Sequence, residues 1–136
     1  MERLPGVRAW RKILSAMNFM NRVQKILFVC CQNRSRSLTA ERLLSGCRGY
    51  TVKSAGTAPG ARTHVTQSHI LWADQIFVME EIQARILRDH FAELLRAKPL
   101  ICLGIPDIYP CMHPDLIDEL KTTLSKHLKT PELKAA

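Results

Sequence analysis

The sequence predicts an α/β domain: a doubly wound, four-stranded parallel sheet in three layers, with helices on both faces. Short apolar runs recur four times, at 25–29, 51–54, 76–79 and 100–103, and each is of strand rather than helix length. Segments with apolar residues at helical spacing separate them, so strand and helix alternate along the chain. The 136 residues are enough for one domain with a real core.

Lys25 to Val29 forms the first strand, and its run Ile26-Leu27-Phe28-Val29 reads as buried and parallel. Ser37 to Leu44 is the first helix. Ser45-Gly46-Cys47-Arg48-Gly49 ends it with glycines suited to a C-cap. Thr51 to Ser54 is the second strand, Ala58-Pro59-Gly60 breaks the chain, and Gln67 to Trp72 is a short helix. The third strand is Ile76 to Met79. Ile82, Ile86, Phe91, Leu94 and Leu95 mark a helix to about Leu95, with a break near His90. Leu100 to Leu103 is the fourth strand. Pro114 opens the last helix, whose apolar face is Leu116, Ile117, Leu120, Leu124 and Leu128. No internal repeat or low-complexity block interrupts this order.

Residues 25–129 make up the domain, followed by a tail at 130–136. Residues 1–24 form a basic extension in which Arg8, Arg11, Lys12 and Arg22 alternate with apolar residues. A short amphipathic arm for a membrane surface or partner, or a transit-like sequence, is one reading. A disordered segment, or an upstream start codon ahead of Met17 or Met20, is the plainer one. The net charge of +8 is concentrated in this extension. The domain is only mildly basic and its cations are scattered, which disfavours nucleic acid as a partner. No apolar stretch reaches membrane-spanning length. Five cysteines without framework spacing point to a reducing compartment, hence the cytoplasm, and no Cys/His pairing has the spacing of a zinc site. No metal or cofactor is expected.

Chemistry concentrates in Cys30-Cys31-Gln32-Asn33-Arg34-Ser35-Arg36-Ser37, directly after the first strand. A cysteine, five residues, an arginine and a hydroxyl residue is the layout of a phosphate-binding loop that carries its own nucleophile. At a strand–loop–helix junction, backbone N–H groups and the helix dipole favour an oxyanion. The same field favours a thiolate at Cys30. Arg36 supplies a planar fork for two phosphate oxygens. The other cysteines fail the spacing: six residues beyond Cys31, Cys47, Cys102 and Cys111 stand Ser37, Lys53, Ile108 and Ile117. A buried structural cysteine beside an exposed basic turn is the competing reading. In a doubly wound sheet, ligands bind at the carboxyl ends of strands. Cys30 lies at the end of the first strand and Asp107 after the fourth, so topology brings both to one rim.

Val29 to Ser37 resembles the loop of the low-molecular-weight protein tyrosine phosphatases, usually V-C-x-G-N-x-C-R-S-P. Tyr50 to Thr57 resembles the family's second strand and its Ser-Ala-Gly-Thr turn. Ala73 to Met79 resembles the third strand, and Pro99 to Leu103 falls where the fourth belongs. Ile105-Pro106-Asp107-Ile108-Tyr109 resembles the Pro-Asp-Pro-Tyr loop, whose aspartate is the general acid. The likeness covers about residues 25 to 128 and is closest to the short bacterial branch of that superfamily. Gln32 replaces the family's glycine, Ser35 its second loop cysteine and Leu38 its proline. The stretch from Thr57 to Asp74 is short, and neither His64 nor His69 aligns with the family's loop-supporting histidine.

The resemblance implies a cysteine-dependent phosphomonoesterase acting on a phosphoprotein or small phosphate ester. Cys30, Arg36 and Asp107 would be catalytic, with Cys31, Gln32, Asn33, Arg34, Ser35 and Ser37 around the phosphate. Ser37 would hydrogen-bond the Cys30 sulfur, and Ser54 would tether Asn33, a residue type that tolerates left-handed backbone. Asp115 and Asp118 are rival acids, although carboxylates in a helix opening commonly offset the dipole. Tyr109 and, more weakly, Trp72 are candidates to flank the substrate; both could equally be core aromatics. Two alternatives stay open. One is an arsenate reductase, which would need relay cysteines. The other is a non-catalytic phospho-ligand or RNA-binding module.

Overall fold

A computed structural model describes residues 23–129 together with Gly6 and Ala9. The readings of the basic extension and of the tail therefore lie almost wholly outside the described residues. Four parallel strands, β1 (Gln24–Cys30), β2 (Tyr50–Gly56), β3 (Gln75–Val78) and β4 (Leu100–Cys102), line up in the order β2-β1-β3-β4. Between and after them run α1 (Arg36–Ser45), α2 (Gln67–Trp72), α3 (Glu81–Leu95) and α4 (Pro114–Leu124). This is the expected fold.

The central strand explains the layering. Ile26, Leu27, Phe28 and Val29 are all fully buried, because successive side chains face opposite sides and both sides are covered. Ile26, Phe28 and Cys30 join a core with Ala40 and Leu44 of α1 and with Leu116, Leu120 and Leu124 of α4. Leu27 and Val29 join the opposite core with Ile70 of α2 and with Ala84 and Leu87 of α3. The nucleophile candidate thus ends the strand that is most thoroughly fixed by packing.

Several boundaries differ from expectation. Gly46 caps α1 in the right-handed region (φ −84°), and the left-handed turn falls at Gly49 (φ 93°), just ahead of β2. The helix α4 stops at Leu124, whereas Leu128 is buried beyond it by a turn in which its N–H meets the Leu124 carbonyl at 2.8 Å. The expected break in α3 is present: Phe91 leaves helical geometry (φ −132°, ψ 32°), next to His90, whose Nδ1 meets the Ile86 carbonyl.

At the amino-terminal edge of the sheet, Lys98 donates from Nζ to the carbonyls of Ile70, Leu71 and Ala73 at 2.5, 2.8 and 2.7 Å. That cation closes the C-terminal end of α2, where carbonyls lack helical partners.

Candidate active site

The loop 31–35 leaves β1 and enters α1 within five residues, and its path is fixed from outside. The carbonyls of Cys30, Cys31 and Gln32 accept from the backbone N–H groups of Thr57, Ala58 and Arg62 at 3.0, 3.0 and 2.9 Å. The Asn33 carbonyl accepts from Arg62 Nε at 3.0 Å. With four carbonyls turned towards the 57–62 segment, the intervening amides turn to the other side. There the Asn33 N–H meets the Cys30 sulfur at 3.2 Å. Gly56 lets the two segments approach: a Cβ there would lie 2.4 Å from the Cys31 carbonyl oxygen and 3.0 Å from the Asn33 nitrogen.

Asn33 is fully buried in the left-handed region (φ 56°), as its residue type implied. Its Nδ2 donates to Ser37 Oγ and to Ser54 Oγ, both at 2.8 Å. Ser54 in turn donates to Glu41 Oε1 at 2.7 Å. These partners orient the protons. The Ser37 oxygen already accepts from Asn33, so its own hydrogen goes to an acceptor, and the Cys30 sulfur at 3.0 Å is nearer than the Ala55 carbonyl at 3.5 Å. Ser37 and the Asn33 amide both present protons to that sulfur.

Arg36 is 2% exposed and is held from behind. Its Nη1 donates to Glu80 Oε1 and, at 2.9 Å, to the Ile105 carbonyl. Its buried Nε has no hydrogen-bond partner and faces Asp107 Oδ1 at 3.7 Å. The Nε edge of the fork therefore points into a pocket of about 190 Å³ lined by Cys30, Gln32, Arg34, Ser35, Arg36 and Asp107.

The segment carrying Asp107 is pinned on both sides. Ile105 N–H bonds the Met79 carbonyl at 2.8 Å, and Ser35 Oγ donates to the Tyr109 carbonyl at 2.5 Å. Tyr109 donates its hydroxyl to Glu119 Oε2 at 2.9 Å, which pushes its pKa up by favouring the protonated form. The ring does not line the pocket; it packs partly against the core and lies 5.7 Å from the ring of His113.

Cys30, Arg36 and Asp107 thus meet around one pocket, with Gln32, Arg34 and Ser35 in its walls and Ser37, Asn33 and Ser54 in a buried chain behind it. Cys31 belongs to the loop, but its side chain does not line the pocket. Trp72 does not reach this rim: it lines a cleft at the opposite edge with Gln24, Lys25 and Asp74. The physical reason is direction. The chain returns through α2 to start β3, so the end of that helix lies at the amino-terminal edge, where Lys53 stacks over the indole at 4.6 Å. No histidine supports the loop among the described residues. The ring of His69 caps α2, taking the Thr66 N–H at 3.0 Å, and Arg62 braces the loop instead. Sequence reasoning missed Arg62, Glu41 and Glu80. Only Glu80 carried a signal, as a carboxylate directly after the third strand on the rim that already held Cys30.

Among the described residues, no group of His, Cys, Asp and Glu is arranged to hold a metal ion, and no helix is long and apolar enough to cross a membrane. A buried arginine edge and a cysteine sulfur share one pocket at the end of a doubly wound sheet, an arrangement chemically able to hold an oxyanion beside a nucleophile. Residues 25–95 match the family model for low molecular weight phosphotyrosine protein phosphatase, and the chain belongs to that family. It is a cysteine-dependent phosphatase, a hydrolase acting on phosphorylated substrates. The match does not favour the arsenate-reductase alternative.

Solved structures show the same fold. The YwlE arginine phosphatase from Geobacillus stearothermophilus is 24% identical, with a TM-score of 0.61 over 76% of this chain and 89% of that one. The tyrosine phosphatase Wzb from Escherichia coli K30, in complex with phosphate, is 22% identical, with a TM-score of 0.64 over 76% and 95%. The low molecular weight protein tyrosine phosphatase SP-PTP from Streptococcus pyogenes is 15% identical, with a TM-score of 0.62 over 78% and 94%. No curated protein sequence matches the chain.

Proposed function

We propose that the chain hydrolyses phosphomonoesters, phosphotyrosine-like esters first, through a phosphocysteine on Cys30. The observation that carries this is the Nε of Arg36, buried without a hydrogen-bond partner in the same pocket as Cys30. A buried donor left without a hydrogen bond is costly, and a phosphate oxygen is the acceptor it fits. Arg36 and the loop amides of 31–35 hold the non-bridging oxygens, more tightly as charge spreads onto them in the transition state.

Cys30 thiolate attacks phosphorus in line, the S–P bond forms and the ester P–O bond breaks. Asp107, protonated, passes its proton to the leaving oxygen. Asp107 carboxylate then takes a proton from water as that water attacks phosphorus. Inorganic phosphate leaves and Cys30 returns as thiolate, which the Ser37 hydroxyl stabilises through its hydrogen bond. None of these steps calls on a metal ion. All five cysteines are unpaired, which supports work in a reducing compartment such as the cytoplasm.

The test is turnover of an aryl phosphate in the presence of a chelator. Cys30→Ser abolishes it, and Asp107→Asn lowers kcat by about 10²–10⁴. Full activity in Cys30→Ser overturns the proposal.

A further inference from the structure

Two guanidinium groups, one in the wall of the pocket and one on the segment that braces the loop, have no role in these steps. Arg34 is exposed, lines the pocket and donates from Nη2 to the Gly60 carbonyl at 3.2 Å. Arg62 reaches across the other way, from Nε to the Asn33 carbonyl at 3.0 Å. Both side chains therefore cross one seam, between the phosphate loop and the 57–63 segment. Among the described residues, ion pairs join Arg36 to Glu80 and Asp107, Arg96 to Glu93, and His113 to Asp115. Among these residues neither Arg34 nor Arg62 is paired with a carboxylate. The charge of Arg36 is answered from within by Glu80; among the described residues the charges at the seam are answered by backbone carbonyls.

We propose that Arg34, with Arg62 behind it, forms an anion subsite beside the scissile phosphate. The substrate class is then a phosphomonoester that carries a second anionic group next to the ester. This inference rests on the phosphatase reading of the Cys30 pocket. Two like charges at one seam raise the local positive potential, and an unpaired guanidinium offers a fork to a carboxylate or a second phosphoryl group. The same field disfavours a cationic group at that position. An acidic residue beside phosphotyrosine and an acidic substituent on a small ester present the same chemistry to Arg34.

The experiment compares kcat/KM within matched pairs. One pair is a phosphotyrosine peptide with Glu or Gln next to the phosphotyrosine; the other is an aryl phosphate with or without a ring carboxylate. Native protein, Arg34→Lys and Arg34→Gln are measured as full chains, with folding checked by circular dichroism. The native chain is expected to prefer the anionic member by about 5-fold at low salt, the size of one or two partly screened charge contacts. That preference shrinks as ionic strength rises from about 0.05 to about 0.5 M. It disappears in Arg34→Gln and largely survives in Arg34→Lys. Selectivity in the peptide pair alone assigns the subsite to protein substrates, and selectivity in the aryl pair alone to small esters. Equal rates within both native pairs, or an unchanged preference in Arg34→Gln, overturn the inference and leave the phosphatase reading intact. No turnover of any member by the native chain overturns both.

Discussion

Replacing Asn33 tests the organisation of the loop most directly, because this one residue combines an unusual backbone with two buried hydrogen bonds. Asn33→Ala removes the Nδ2 donor from Ser37 Oγ and Ser54 Oγ, each 2.8 Å away and each in a buried setting. Net losses of about 1 kcal/mol per bond give about 2 kcal/mol. Alanine at φ 56° adds about 1 kcal/mol of left-handed strain. The expected destabilisation is therefore about 3 kcal/mol, a large share of the stability of a small domain. Asn33→Gly loses the same hydrogen bonds without the strain, so it recovers about 1 kcal/mol relative to alanine. Both variants also free the Ser37 hydroxyl from the partner that directs its hydrogen to Cys30, so both lower kcat. Denaturant unfolding measures the two stabilities and aryl phosphate turnover measures the rate. Equal stability of the alanine and glycine variants would refute the strain argument. Undiminished kcat in both would refute the role of Asn33 in orienting Ser37.

Two further outcomes follow from the same geometry. Ser35 spends its hydroxyl on the Tyr109 carbonyl and stands where the loop pattern it resembles has a second cysteine, so oxidised Cys30 would lack a disulfide partner at that position. Peroxide should therefore inactivate the native chain beyond rescue by dithiothreitol, while Ser35→Cys becomes recoverable; full recovery of the native chain contradicts this. The pKa of His69 is lowered from 6.5, first by burial and then by the charge of Lys53, and its Nδ1 caps α2 only when unprotonated. The folded state thus binds fewer protons there than the unfolded one. The cap contributes stability above 6.5 that is lost as pH falls through the lower folded value. Native protein should exceed His69→Ala in stability by up to about 1 kcal/mol at neutral pH. That gap should close in acid, and a gap independent of pH counts against the assignment.

Local patterning was enough to read the strands and helices because each is short, apolar and periodic. The motif from Cys30 to Ser37 was legible for the same reason: its residues stand within eight consecutive positions. The rim shared by Cys30 and Asp107 followed from parallel topology. Where pattern and position separate, the reading weakened. Trp72 is an aromatic near the right segment in sequence, yet the direction of α2 carries it to the far edge of the sheet. Gly46 has the residue type of a left-handed cap, yet the chain turns left only at Gly49.

What the sequence by itself determined is the doubly wound fold, and it placed the proposed nucleophile and its arginine on one rim, since these depend on neighbours in the chain and on strand order. Only the tertiary structure decided how that arginine is aimed and how the loop is braced. Glu80 and the Ile105 carbonyl hold Nη1, Arg62 and the 57–62 amides hold the loop carbonyls, and Glu41 completes the chain behind Asn33. Each of those contacts joins residues remote in sequence through a single hydrogen bond, and no periodicity records such a pairing.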